Sequence, residues 1–270
     1  MPWRRILLSF VIAIFIISGF FEAKPPAPHT TALYGAEALY AKAAENTEVA
    51  TADIEIIANP GADSMIKEHM MKAYKNTSDA HTDSIKIDLG MTEDNELIAL
   101  HNAVLDRITS GSKTPEELPL EEIAVTFEQN EHYYIEAHLV NGDTKMEEPL
   151  IKLLQEYDLL DPKYVSFQSF SKKSLQKLQE LAPEIRSTLL YGTDKFDLED
   201  ALAADVDAIG IDSGNVTRDI VDKLHQQEKE IHVFFTDERT ELVEQQRVIM
   251  YGVDGVFTDD IEFTKQVIMQ

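Results

Sequence analysis

Four residues in two strand-like runs carry the clearest chemical signal in this sequence. Lys86 and Asp88 stand two apart in Ser84–Leu89, and Glu136 and His138 stand two apart at the end of Tyr133–Ala137. Successive side chains of a β-strand point to opposite sides, so each pair shares a side. An ammonium, two carboxylates and an imidazole on inward faces are costly to bury unless they neutralise one another or act on a ligand. Asn59, in Ala58-Asn59-Pro60-Gly61-Ala62, and His101, which follows an expected hairpin at Glu96–Leu100, are expected to converge on the same place. Taken singly, a strand Asp or Glu is ordinarily solvated or ion-paired, and a lone His is more often structural than catalytic. The convergence is what points to function. His29, His69, His81, His132, His225 and His232 lack such clustering and read as spacer, surface or core.

The elements that must position these residues alternate. Strand-like runs fall at Ile54–Ala58, Ser84–Leu89, Tyr133–Ala137, Tyr164–Phe167, Arg186–Tyr191, Ala208–Ile211, Glu230–Phe235 and Gly255–Thr258. Helical stretches are expected at Met65–Lys75, Lys145–Tyr157, Ser171–Leu181, Thr217–Gln227 and Glu238–Tyr251, with Ser171 and Thr217 as N-caps. Alternating β and α units imply a parallel sheet with helices outside. Eight such units in this length favour a (β/α)₈ barrel, in the α/β class, over an open sheet. No glycine-rich dinucleotide fingerprint follows the first strand. In such a barrel the functional residues belong at the C-terminal ends of the strands.

The chain has 270 residues and a formal net charge of −25, of which the first 23 residues carry +1. So acidic a surface repels nucleic acid, which is excluded as a partner. There is no cysteine, hence no disulfide, thiolate metal site or acylated cysteine. Arg4 and Arg5 precede an apolar run from Ile6 to Phe21. The fold class therefore includes an N-terminal membrane segment: residues 1–23 read as a signal-anchor, 24–52 as a spacer stiffened by Pro25, Pro26 and Pro28, and 53–270 as the barrel. On that reading the barrel is held at the cell membrane on its outer side, or is secreted if the segment is cleaved.

The site motifs resemble those of the glycerophosphodiester phosphodiesterase family. That family shows His-Arg-Gly-Ala near the first strand, Glu-x-Asp on the second, His-Asp followed by Leu-Asp-Arg, and Glu-x-Lys on the third. This chain has Asn59-Pro60-Gly61-Ala62, Lys86-Ile87-Asp88, His101-Asn102 with Leu105-Asp106-Arg107, and Glu136-Ala137-His138. Val165-Ser166-Phe167-Gln168-Ser169-Phe170 and Gly252-Val253-Asp254-Gly255-Val256-Phe257-Thr258-Asp259 extend the resemblance over about Ile54 to Ile268. It implies phosphoric diester hydrolysis and a place in lipid metabolism. Two histidines would act as general acid and base, and three carboxylates would hold Ca²⁺ or Mg²⁺. It also assigns substrate binding to Glu68, Phe170, Phe235 and the position of Pro60.

The departures fall on that set. His101 keeps one histidine position, Asn59 replaces the other, and Pro60 replaces a phosphate-binding arginine. Asp88 and Glu136 match two metal ligands, Lys86 replaces the third, and His138 replaces the lysine on strand three. Asn59 cannot transfer a proton near neutral pH. Hard cations want several oxygen ligands, and a lysine both removes one and adds repulsion. Three carboxylates with a divalent ion sum to −1, and so do Asp88, Glu136 and Lys86 without one. The expectation is a catalytically degenerate site that needs no cofactor and binds a phosphodiester, polyol, wall polymer or partner protein. The alternative is an active phosphodiesterase using Ca²⁺ or Mg²⁺ on glycerophosphodiesters or glycerol-phosphate polymers, with His138 as substitute proton carrier.

Overall fold

The computed structural model describes residues 54–60, 71–92, 94–99, 118–237 and 239–269. Contacts divide the chain into Met1–Glu48 and Val49–Gln270, and the fold described is that of the second unit. Its barrel strands are β1 (Glu55–Ala58), β2 (Ser84–Met91), β5 (Tyr133–Glu136), β6 (Val165–Ser169), β7 (Ser187–Tyr191), β8 (Ala208–Asp212), β9 (Glu230–Phe234) and β10 (Gly255–Thr258). They run parallel in the order β1-β10-β9-β8-β7-β6-β5-β2. Pairing of Ile57 with Ser84 and of Ala58 with Ile85 closes the ring. These are the eight strands expected from the sequence. Two further strands, β3 (Leu97–Ala99) and β4 (Leu118–Pro119), extend the upper end of β2 antiparallel, with Leu89 opposite Ala99.

Eight helices occur among the described residues: α1 (Met71–Asp79), α2 (Leu120–Phe127), α3 (Glu147–Glu156), α4 (Lys172–Leu181), α5 (Leu198–Ala203), α6 (Arg218–His225), α7 (Glu241–Met250) and α8 (Ile261–Ile268). Ser171 caps α4 by accepting from Ser174 N, and Thr217 caps α6 by accepting from Ile220 N, so both expected N-caps are in place. The outward side chains of the strands pack on the helices in two apolar groups. Ile85, Ile87, Ile135 and Phe167 meet Ile123, Leu150 and Leu178. Ile209, Ile231 and Val256 meet Val221, Leu224 and Val248. This apolar shell fixes the pleat, because slipping any strand by one residue would turn its apolar set inward.

The expected membrane segment requires correction. Among the described residues no helix is long and apolar enough to cross a membrane. The longest have ten residues, ~15 Å against a hydrocarbon core of ~30 Å. Residues 1–23, where the anchor was expected, lie outside the described residues. The apolar run there is itself shorter than the ~20 residues a span needs. The membrane as partner, and placement of the barrel at the cell membrane or outside it, are therefore not carried further.

The barrel's interior is polar at its N-terminal end. The Tyr134 hydroxyl lies 2.5 Å from Thr188 Oγ1 and 2.6 Å from His232 Nδ1. His232 Nε2 lies 3.3 Å from Glu230 Oε2, which also pairs with Arg186. His132 Nδ1 is 2.7 Å from Ser84 Oγ and its Nε2 is 3.3 Å from Ser166 Oγ, while Ser84 donates to Glu55. Gly255 makes room for this plug, since a Cβ there would come 2.8 Å from His232 Cδ2.

Burial, reinforced by Arg186 and opposed by Glu55, lowers the His132 pKa below its ordinary 6.5. The folded chain then binds this proton less readily than the unfolded one. Its contribution to stability is intact above about pH 6.5 and is lost as pH falls through the folded value. Measured by urea unfolding, wild type should lose stability relative to His132→Gln between pH 7.5 and 5. A constant difference between the two proteins over that range would refute the assignment.

Candidate functional site

The inner faces of β2, β5 and β6 build the site. Asp88, Glu136 and Gln168 stand side by side in register at the strands' C-terminal ends, and Lys86 sits one inward position below Asp88. The alternation that sends Ile85, Ile87 and Leu89 into the outer shell turns Lys86 and Asp88 inward. The Lys86 ammonium forms an ion pair with Asp88 Oδ1 and lies 3.2 Å from Glu136 Oε2. Gln168 Nε2 donates to that same Glu136 oxygen at 3.3 Å. His138 Nε2 stands 3.4 Å from Glu136 Oε1. The two are not aligned for a hydrogen bond, so both atoms are buried without a hydrogen-bond partner, as is Gln168 Oε1. The Asp88 and Glu136 side chains are only 3% and 1% exposed, and those of Lys86 and His138 15% and 19%, which places the latter two at the opening.

Charges in this setting perturb one another. Burial pushes the Glu136 carboxyl up, Asp88 adds to the rise and the Lys86 ammonium opposes it. Burial alone would lower the Lys86 ammonium, but Asp88 and Glu136 outweigh it and hold the proton more firmly than usual. Burial lowers the His138 imidazole, Asp88 opposing and Lys86 assisting. Neutral imidazole and firmly held ammonium are the forms present near pH 7.

The family's divalent cation does not fit this donor set. The Lys86 ammonium bridges the two carboxylates that such an ion would need. Among the described residues no three His, Asp or Glu side chains are grouped to hold a metal.

The remaining sequence-derived site residues are more dispersed. Asn59, at the end of β1, donates from Nδ2 to Asp259 Oδ1 at 2.8 Å and so faces the β1–β10 seam rather than the Lys86 group. Pro60 beside it is buried. Phe170 follows β6, is 48% exposed, and meets Phe234 edge to face at 6.5 Å. Phe235 packs into the outer shell around β8 and β9, so Phe234 is the one beside Phe170. His101 and Glu68 lie outside the described residues. Sequence reasoning passed over Gln168, Phe234 and Asp259. For Gln168 a signal existed: it alternates with Ser166 on the inner side of a strand whose outer residues are apolar.

The family model described as the glycerophosphoryl diester phosphodiesterase family matches residues 60–138 and 126–263. A glycerophosphodiester phosphodiesterase of Bacillus subtilis is 27% identical over 244 residues, covering 75% of this chain and 82% of that protein. One from Caldanaerobacter subterraneus is 25% identical over 234 residues, covering 77% and 94%. The fold matches an Oleispira antarctica phosphodiesterase solved with the product sn-glycerol-3-phosphate, with a TM-score of 0.68, 14% identity, and 80% and 97% of the two chains covered. With the matched residues spanning more than half of its length, this chain belongs to the glycerophosphoryl diester phosphodiesterase family.

Proposed function

We propose that this barrel binds a phosphodiester or polyol, as a small molecule or a glycerol-phosphate polymer, with little or no hydrolysis and no bound metal. The observation that carries this reading is the Lys86 ammonium seated on both Asp88 and Glu136. An ammonium has three donors, and with two committed to the carboxylates the third is left for a ligand oxygen. Gln168 holds the Glu136 carboxyl, and its unpartnered Oε1 can accept from a ligand hydroxyl. Asn59, whose amide is engaged by Asp259, has no proton to transfer where the family has a histidine. A second reading, active hydrolysis with His138 as proton carrier, is favoured by the unpartnered Nε2 of His138 beside Glu136.

Purified full-length protein should release little choline or sn-glycerol 3-phosphate from glycerophosphocholine, with or without added Ca²⁺. Ordinary enzyme turnover lost in His138→Ala would establish the second reading instead. Cation binding is a separate expectation. Calorimetric titration with Ca²⁺ or Mg²⁺ should give no tight stoichiometric site. A stoichiometric site that disappears in Asp88→Ala would overturn the metal-free assignment.

A further inference from the structure

The loop that leaves β5 carries a reactive pair of its own. Asn141 and Gly142 form the one Asn-Gly step in the sequence, and they lie between His138 and the start of α3. Both have positive φ, 54° and 83°. That is the tight two-residue turn this pair favours, because Asn tolerates the left-handed region and Gly adopts it freely. Two bonds close the turn, Val140 N to Asp143 O at 2.9 Å and Asp143 N to Val140 O at 3.2 Å. It belongs to no barrel strand, and residues 141–143 are exposed. Lys173 holds the Gly142 carbonyl at 3.0 Å. The Gly142 N–H and the Asn141 side chain have no hydrogen-bond partner among the described residues. A Cβ placed on Gly142 would meet no atom within 4 Å, so solvent reaches this peptide from that side.

An uncommitted backbone nitrogen next to an uncommitted side-chain amide is arranged for ring closure within one chain. We infer that Asn141 is a site of deamidation, with water as co-reactant. The Gly142 nitrogen gives up its proton to solvent and bonds to Asn141 Cγ. The Cγ–Nδ2 bond breaks, and the amide nitrogen takes up a proton and leaves as ammonia. Water then opens the five-membered succinimide at either carbonyl. Opening at Cγ gives aspartate, and opening at the main-chain carbonyl gives isoaspartate. Either product adds a negative charge at position 141. Isoaspartate also lengthens by one carbon the main chain that runs from His138 to α3.

The other described asparagines are held back. Asn59 precedes Pro60, whose nitrogen has no proton to lose. Asn76 lies within α1. After Asn95, Glu96 N donates to Thr92 Oγ1 at 3.0 Å. The Asn130 amide donates to Phe127 O at 2.9 Å. After Asn215, Val216 N donates to Ser213 O at 3.0 Å, and the Asn215 amide itself donates to Thr193 O at 2.9 Å.

The test is to incubate purified full-length protein in mildly alkaline buffer, folded and in urea, and to map its peptides by mass spectrometry. In the folded protein the peptide carrying Asn141 should gain one mass unit and accept a methyl group from an L-isoaspartyl methyltransferase. Peptides carrying Asn95 and Asn215 should stay unchanged. Exposed turns open at little cost, so the folded rate at Asn141 should lie within about tenfold of the rate in urea. Asn141→Gln should show neither change, because its longer side chain must close a larger ring. If Asn141 stays intact in the folded protein while it reacts in urea, the turn shields the pair and the assignment falls. It falls equally if Asn95 or Asn215 reacts as fast as Asn141 in the folded protein, or if Asn141→Gln keeps the gain.

Discussion

Replacing Lys86 with methionine is expected to destabilise the barrel by about 3–5 kcal/mol, the range found when one partner of a buried ion pair is removed. Methionine keeps most of the stem's volume, so the loss reports charge rather than a cavity. It leaves Asp88 and Glu136 facing each other with almost no solvent access. With the ammonium gone, the Glu136 carboxyl is held still further above its unfolded value. The variant's penalty therefore grows as pH rises and is smaller at pH 6 than at pH 9. Adding Glu136→Gln to Lys86→Met should restore most of the stability, since the remaining carboxylate then meets an amide. Urea unfolding of the single and double variants completes the cycle. A Lys86→Met protein as stable as wild type at pH 9 would show that the ammonium does not neutralise the pair.

The second large effect is a gain of activity. The combined variant Asn59→His, Pro60→Arg, Lys86→Glu is expected to hydrolyse glycerophosphocholine in a Ca²⁺-dependent manner, where wild type does so weakly or not at all. A positioned acid–base group typically contributes about 10²–10⁴-fold, and groups that act as one unit are strongly non-additive. Neither Asn59→His nor Lys86→Glu alone should therefore approach the combination. The Lys86→Glu change also gathers three acidic side chains, so the triple variant should melt lower than wild type without Ca²⁺ and recover on its addition. The measurements are product release and melting temperature, each with Ca²⁺ and with chelator. Equal rates in the triple variant and wild type would remove the basis for tracing the difference to these three positions.

Much of the framework was legible because its physics is local. The eight barrel strands are apolar on their outer faces and bounded by turn residues, and Ser171 and Thr217 mark helix starts through hydroxyl caps. Three helices escaped notice, namely Leu120–Phe127, Leu198–Ala203 and Ile261–Ile268. At six to eight residues they offer barely two turns of periodicity, too little to separate from a loop. Lys86 with Asp88 and Glu136 with His138 were readable as pairs because strand alternation fixes their side. Their meeting depends on β2 lying against β5, which follows from barrel order. Gln168 was harder, since its role comes from register with Glu136 rather than from its own segment. Phe234 and Phe235 show the limit most sharply: a one-residue difference in pleat decides which ring enters the barrel, and adjacent phenylalanines give no hint of it. The membrane assignment rested on a 16-residue apolar run behind Arg4 and Arg5, with nothing in the barrel to support it.

Tyr134, Phe257 and Ile57 form a thin apolar layer across the barrel interior, with Tyr134 and Phe257 edge to face at 5.5 Å. Lys86 lies in register with Tyr134, Asp88 and Glu136 stand one inward position further toward the strands' C-terminal ends, and the His132–Ser84–Glu55 and His232–Glu230–Arg186 contacts gather toward the N-terminal ends. Such a layer puts apolar side chains between the Asp88–Glu136 end and the lower polar contacts, to which Tyr134 is tied only through its hydroxyl. The Asp88–Glu136 end can then be rewritten residue by residue, as in exchanging a metal cage for an internal ammonium, while the lower contacts continue to hold the strands in register. A barrel divided in this way can lose or change its chemistry at one end without unlocking its foundation at the other.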